Sequence, residues 1–490
     1  MRNRVWIALA LASALGLAGC GGGGNPSPPS LASVASVNSA STAPAAPPSG
    51  GFKQMVVFGD SLSDAGTYTP AVVATYYQYL PGTTTNPATN PTDALTAFGG
   101  SLISNASAAL QQYGTYGGEF TVNPGPGWVA DLATDLKVPV PLPNQIGYGY
   151  IQDPTTGAFS GPIFPTMNCV NTYGATDSSL CTNFAQGGSR VAQQPGIGYY
   201  IINPTTGQPY VNSSGVPYTS ALTVPVSTQV QNYLAQFGTF NSNQLVTVLA
   251  GNNDIFTALG TVSATVKQAV TQAVTSALQQ NPNLTQAQIA QIQAEAQQSA
   301  TTSAVSNAQN TVATAADELA AQIKLITSKG AQYVMVYTLP DSSQTPFGRG
   351  LPYTGLTPPQ TPPAGYVCDN TNTGAPCYLL SNLVQVFNQR LLNDLQGQPV
   401  KVLDGYSLLN QEVTNPAQFG FTNVTTPWCN PTTTSSLLCN VNTPYADAGA
   451  SAANLGTWLF ADTVHPTPAG YKIIASTTLQ AMKGFGWISQ

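Results

Sequence analysis

MVVFGDSLSDAG, residues 55–66, decides how the chain is to be read. Met55 to Phe58 are apolar and include two valines, the composition of a buried strand, and the run stops at Gly59 before Asp60, Ser61 and a polar turn. A serine just past a strand end stands at the carboxyl edge of a sheet. A helix opening after it would aim free backbone N–H groups at whatever its hydroxyl attacks. Ser61 is placed like a nucleophile. Taken alone, the same letters also describe Asp60 or Ser61 capping a helix.

Three further β-branched, apolar runs match KQMVVFG (53–59): QLVTVLAG (244–251), AQYVMVYTL (331–339) and PVKVLDGY (399–406). Helical patterns separate the later ones. From Phe256 to Ser328 the chain is rich in Ala and Gln at helical spacing, broken at Asn281-Pro282-Asn283 and restarted at Thr285, whose partner Gln288 completes a capping box. Gly330 marks the stop, and LLSNLVQVFNQRLLNDLQ (379–396) is a further helix before the last strand. Strands separated by helices predict an α/β fold with a mainly parallel sheet. Two regions, about 68–240 and 341–378, carry Gly, Pro, Asn, Thr and Tyr without a sustained period, and are expected to be loops walling a pocket at the strand ends. Their tyrosine clusters, TYYQY and GIGYYII, fit ordinary loop packing better than a substrate surface.

A serine hydroxyl needs a base before it can attack, and His465 is the only histidine in the chain. Asp462, three residues upstream in FADTVHPTPAGY, is close enough on one turn to accept an N–H bond from the imidazole and hold its tautomer. Attack on an ester also places negative charge on the carbonyl oxygen, which calls for fixed donors. VLAGNNDIF offers Asn252 and Asn253 at the end of a strand, and TNFAQGGSRV offers a backbone N–H at Gly187 or Gly188. Each signal is weak alone, since Asn and Gly are ordinary turn residues.

Together FGDSLSD, NFAQGG, GNND and DTVH resemble, in order, the motifs of the SGNH, or GDSL, hydrolase family over most of residues 53–490. The resemblance implies a flavodoxin-like three-layer α/β/α sandwich carrying long loop and helical insertions. It also implies Ser61 as nucleophile and first oxyanion donor, Gly187 and Asn253 as further oxyanion donors, His465 as base and Asp462 as its partner, with no cofactor. The G-x-S-x-G elbow of α/β-hydrolases is absent. GDSLSDAGTY looks most like bacterial lipase, phospholipase and acyltransferase members, so the expected activity is a serine esterase or lipase acting on a lipid or other acyl ester. The alternatives are an acyltransferase on the same site and a surface binding protein on the same fold without catalysis. The Ala/Gln insertion after GNND has two readings, a lid over acyl chains or decoration of the fold.

Of 490 residues only 7% are charged, far below the roughly 25% of ordinary soluble domains, a style suited to an exported protein. A net charge of −6 offers no basic stripe for a phosphate backbone, which argues against nucleic acid as partner. Arg2, Arg4 and the apolar stretch from Val5 to Gly19 read as an export signal, and Leu17-Ala18-Gly19-Cys20 resembles the lipobox of bacterial lipoproteins, with Cys20 acylated; ordinary secretion with cleavage nearby is the alternative. Gly21 after the cysteine favours, by resemblance to sorting patterns, the outer membrane. Some family relatives continue into a membrane β-barrel; only 25 residues follow His465, so the acyl anchor is expected to hold the protein instead. Residues 1–20 are thus a signal, 21–50 a disordered tether without charge or aromatic side chain, and 51–490 the hydrolase domain with a helical insertion at about 256–328. The remaining cysteines fall into near neighbours, Cys169 with Cys181, Cys368 with Cys377 and Cys429 with Cys439, and suggest disulfides. No C-x-x-C occurs, and no metal is expected.

Overall fold

The computed structural model describes residues 41–69, 117–152, 157–161, 164–169, 177–203, 206–351, 377–431, 434 and 436–489. The four apolar runs form one parallel sheet: β1 (Gln54–Gly59), β2 (Gln244–Leu249), β3 (Tyr333–Tyr337) and β4 (Lys401–Leu403), hydrogen-bonded in that order. Parallel neighbours need a crossover between them, and helices supply it. Seven helices surround the sheet among the described residues: α1 (Trp128–Leu136), α2 (Val226–Phe237), α3 (Asn252–Gln280), α4 (Gln286–Ser328), α5 (Tyr378–Asp394), α6 (Gly405–Thr414) and α7 (Pro468–Gly484).

Both faces of the sheet are covered, which is why the strands are apolar without alternation. Phe58, Val248 and Val336 are register partners and share one face, where the Phe58 ring meets Tyr233 of α2 at 5.9 Å. Helix α2 packs on α4, and α4 on α3 and α5. One residue further along β3, Tyr337 turns to the other face, with its ring 5.0 Å from Trp128 of α1 and its hydroxyl 2.8 Å from Thr478 of α7. The result is the expected α/β sandwich.

The free edge of β1 is occupied by an irregular strand. Val57 N–H donates to Thr182 O (2.9 Å), Phe184 N–H to Val57 O (2.8 Å) and Gln186 N–H to Gly59 O (3.2 Å), so residues 182–186 run beside β1 and arrive with it at the same end. The capping box at Thr285 and Gln288 opens α4 as expected, after a break at 281–284.

Three expectations need correction. The region 68–240 is not all loop, since it contains α1 and α2. Helix α1 is only nine residues long, and α2 turns a glutamine, Gln229, inward, which blurs its apolar stripe. No helix opens at Ser61; residues 61–63 are a turn. Finally, residues 41–50, read as tether, lie against the domain. Trp487 Nε1–H donates to Pro44 O (2.7 Å), Tyr333 O–H to Ala46 O (2.9 Å) and Asn243 Nδ2–H to Ser49 O (2.7 Å). A segment poor in side chains still carries backbone acceptors, and the domain presents donors to them. The tether reading is thereby confined to residues 21–40, which, with the signal and Cys20, lie outside the described residues.

Cys169–Cys181 and Cys429–Cys439 are disulfides, with Cα atoms 5.6 and 5.7 Å apart. Cys377 is disulfide-bonded as well, while Cys368 lies outside the described residues. The TYYQY cluster also lies outside them; Tyr199 and Tyr200 of the second cluster meet edge to face with ring centroids 4.8 Å apart, and neither lines the cavity described below.

Candidate active site

Gly59 closes β1 where no side chain fits: a Cβ there would sit 2.2 Å from the Leu249 carbonyl oxygen. Gln229 clamps that peptide, accepting from Gly59 N–H (3.0 Å) and donating to Gly59 O (2.9 Å). Beyond it Asp60 folds the turn that carries Ser61. Its carboxylate accepts from Leu62 N–H (3.1 Å) and from Asn252 Nδ2–H (3.0 Å). Complete burial pushes the Asp60 carboxyl up to about 6, opposed by the bonds from Asn252 and Leu62 and by His465.

His465 reaches Ser61 from a hairpin-like loop at the far end of the chain. Ala461 N–H donates to His465 O (2.8 Å) and Thr467 N–H to Leu459 O (2.8 Å), which closes residues 459–467 on themselves. Inside the loop, Asp462 Oδ1 accepts from the backbone N–H groups of Val464 (2.8 Å) and His465 (2.7 Å). The other oxygen, Oδ2, lies 2.7 Å from His465 Nδ1, and His465 Nε2 lies 2.8 Å from Ser61 Oγ. A carboxylate can only accept, so Nδ1 carries the proton and Nε2 presents its lone pair to the serine hydroxyl. The Phe120 ring, 4.8 Å from the imidazole, backs it on one side. All three side chains are buried.

The other two motifs are tied to this line by carboxylates. Asp64 accepts through Oδ1 from Gly66 N–H (2.9 Å) and Thr67 N–H (2.8 Å), and through Oδ2 from Gly187 N–H (2.8 Å). Burial raises its carboxyl to about 6 against those backbone bonds. Asp254 accepts from Arg190 Nε–H (3.0 Å) and Val191 N–H (2.9 Å), and burial raises its carboxyl while Arg190 opposes the rise. Next to it, Asn253 donates one Nδ2 hydrogen to Ser189 O (2.9 Å) and keeps the second.

The expected set is therefore brought together with one correction. Gly187 does not offer a free N–H, because Asp64 has already taken it. The neighbouring Gly188, with φ of 78°, donates to no group among the described residues, and the same is true of the Ser61 N–H. Asp60, Asp64 and Asp254 are not legible as joints in the sequence, because the groups they tie, Asn252, Gly187 and Arg190, lie 192, 123 and 64 positions away.

Ser61, His465 and Asn253 open onto a cavity of about 80 Å³, walled by Phe256, Leu408, Leu409, Leu459, Phe460 and Ile474 among others. From the Ala/Gln hairpin only Asn252, Asn253 and Phe256 of α3 line it, and nothing from α4 does. In this structure the hairpin meets the cavity only at the start of α3. One residue on the wall was not foreseen: Glu412 of α6, a turn beyond Leu408 and Leu409. The readable signal was a carboxyl on the apolar side of a helix in a chain with few charges.

A parallel sheet carrying a serine, a histidine–aspartate loop and an Asn–Asp pair at one edge has the layout of a hydrolase. A model of the family described as GDSL-like Lipase/Acylhydrolase matches residues 55–477, and the chain belongs to that family of ester hydrolases. A protein of Pseudomonas putida described as an uncharacterized protein in the trpE-trpG intergenic region is 34% identical over 165 residues. The match covers 33% of this chain and 24% of that protein, so the chain spans about a quarter of that relative's length.

Proposed function

We propose that this chain is a serine esterase that hydrolyses carboxylic esters of lipids or other acylated compounds through an acyl intermediate on Ser61. The observation that carries the reading is the hydrogen-bonded line from Asp462 through His465 to Ser61, with links of 2.7 and 2.8 Å, beside an apolar cavity. His465 Nε2 takes the Ser61 proton as Oγ bonds to the carbonyl carbon, then gives that proton to the departing alcohol as the ester C–O bond breaks. Water then loses a proton to Nε2 and attacks the acyl carbon, and Ser61 leaves with that proton. Asp462 stays ionised throughout and holds the ring. Charge on the carbonyl oxygen is met by the N–H of Ser61, the second Nδ2 hydrogen of Asn253 and the N–H of Gly188, which takes the place first given to Gly187.

A fluorophosphonate probe tests this directly. Covalent labelling of the wild-type protein and its loss in Ser61→Ala, together with loss of p-nitrophenyl ester turnover, is the expected result. Equal labelling of both proteins would send the search to another nucleophile.

The same proposal places the protein outside the cytoplasm, anchored by acyl chains on Cys20, most naturally in an outer membrane. The export-signal sequence and the two disulfides Cys169–Cys181 and Cys429–Cys439 support this. Metabolic labelling with an alkyne fatty acid should mark the wild type and not Cys20→Ser; equal labelling of the two would remove the anchor.

A further inference from the structure

Glu412 is buried, lines the cavity beside Ser61, and is the only acidic side chain among the described residues that do so. Among the described residues its Oε1 has no hydrogen-bond partner and the carboxyl makes no ion pair. Leu408, Leu409, Leu459 and Phe460, which line the same cavity, carry no hydrogen-bonding side chain. A buried carboxyl left unpaired is costly, and a leucine would fill the same wall without that cost. Such a group is accounted for when a molecule entering the cavity completes its bonding.

The cavity's chemistry narrows what that molecule is. Its apolar walls suit a hydrocarbon chain, and of the two halves of an ester only the acyl half stays in the site through both chemical steps. Burial pushes the Glu412 carboxyl up to about 8, so near neutral pH it is uncharged, with one O–H to donate and a carbonyl oxygen to accept. A hydroxyl group both donates and accepts, and matches it.

We propose that Glu412 is a specificity-determining residue that hydrogen-bonds a hydroxyl carried on the acyl chain, so that esters of hydroxylated aliphatic acids are preferred over plain ones. The inference rests on the reading of Ser61 as the acylated residue, and is best tested by binding, which does not need turnover. In the Ser61→Ala protein, isothermal titration with methyl octanoate, methyl 3-hydroxyoctanoate and methyl 8-hydroxyoctanoate compares the same chain with and without the hydroxyl at two depths. At least one hydroxylated ester is expected to bind about 5–10-fold more tightly than methyl octanoate, the worth of one net hydrogen bond. Adding Glu412→Leu should bring that ratio to about one. Glu412→Gln, which keeps a donor and an acceptor in the same volume, should retain most of it and shows that the fold tolerates the position. A ratio near one in Ser61→Ala, or a preference that survives Glu412→Leu, overturns the proposal. Failure of the Ser61 reading would show instead in the fluorophosphonate labelling, leaving the binding ratio to stand or fall alone.

Discussion

Asp462 uses one oxygen for two backbone N–H groups and the other for the imidazole, and this division makes its replacement by Asn informative. The amide oxygen would stay with the two N–H donors, turning the NH₂ toward Nδ1 and forcing the ring proton onto Nε2, where it faces Ser61. Asp462→Asn is therefore expected to lower kcat by on the order of 10³-fold or more. The melting temperature should hardly move, and the two readings together separate a tautomer effect from a folding one. Glu412 supports a second prediction. Its folded-state value of about 8 lies above the ordinary 4.5, so between those pH values the unfolded chain releases a proton that the folded chain retains. The folded state thus loses stability as pH rises from about 4.5 to about 8, by on the order of a few kcal/mol. Glu412→Gln should remove that slope. Asp60, Asp64 and Glu119 also sit high, but they titrate in both proteins, so the difference between two denaturation series at pH 5 and pH 8.5 isolates Glu412. Ser61, Asp462 and His465 were legible because a strand end, a lone histidine and a short spacing are local facts. The bond from Asp64 to Gly187 was not, because nothing in the sequence says which N–H a buried carboxylate will find.

Strands and long helices were legible for a related reason: each of the four apolar runs is buried on both faces and declares itself without a partner. The short helices were not. In α2, Gln229 occupies an inward position because the Gly59 peptide needs both a donor and an acceptor there, so a tertiary demand interrupts the apolar stripe. The Ala/Gln hairpin was readable as helix but not as to purpose. Its buried positions end at Val270 in α3 and begin at Ala304 in α4, and everything between is solvated or half-buried. Since the hairpin contributes only Asn252, Asn253 and Phe256 to the cavity, excising residues 273–301 and closing the helices with a short Gly-rich turn should leave ester turnover within a few-fold of wild type. A large loss, with the shortened protein still folded, would restore the hairpin to a role at the site.

Ser61 and His465 belong to different parts of the molecule's packing. The serine ends a strand of the main core, whereas residues 459–461, leading into Asp462, belong to two smaller apolar clusters built around Trp428, Trp458 and the Cys429–Cys439 bridge, and around Leu409 and Phe421. Trp428 N–H donates to Phe460 O (2.9 Å) and Cys429 N–H to Ala461 O (2.8 Å), so the bridged segment is the outer neighbour of the loop that holds the histidine. Cutting a bridge that closes so short a loop costs about 3 kcal/mol when its effect is all on the unfolded chain. The sheet belongs to a separate apolar cluster, so the loss should fall first on the smaller body. Cys429→Ser with Cys439→Ser is therefore expected to lose ester turnover on warming several degrees before the circular dichroism of the helices melts, whereas in the wild type the two losses coincide. Coincident losses in the double variant would mean that the histidine loop and the sheet unfold as one unit.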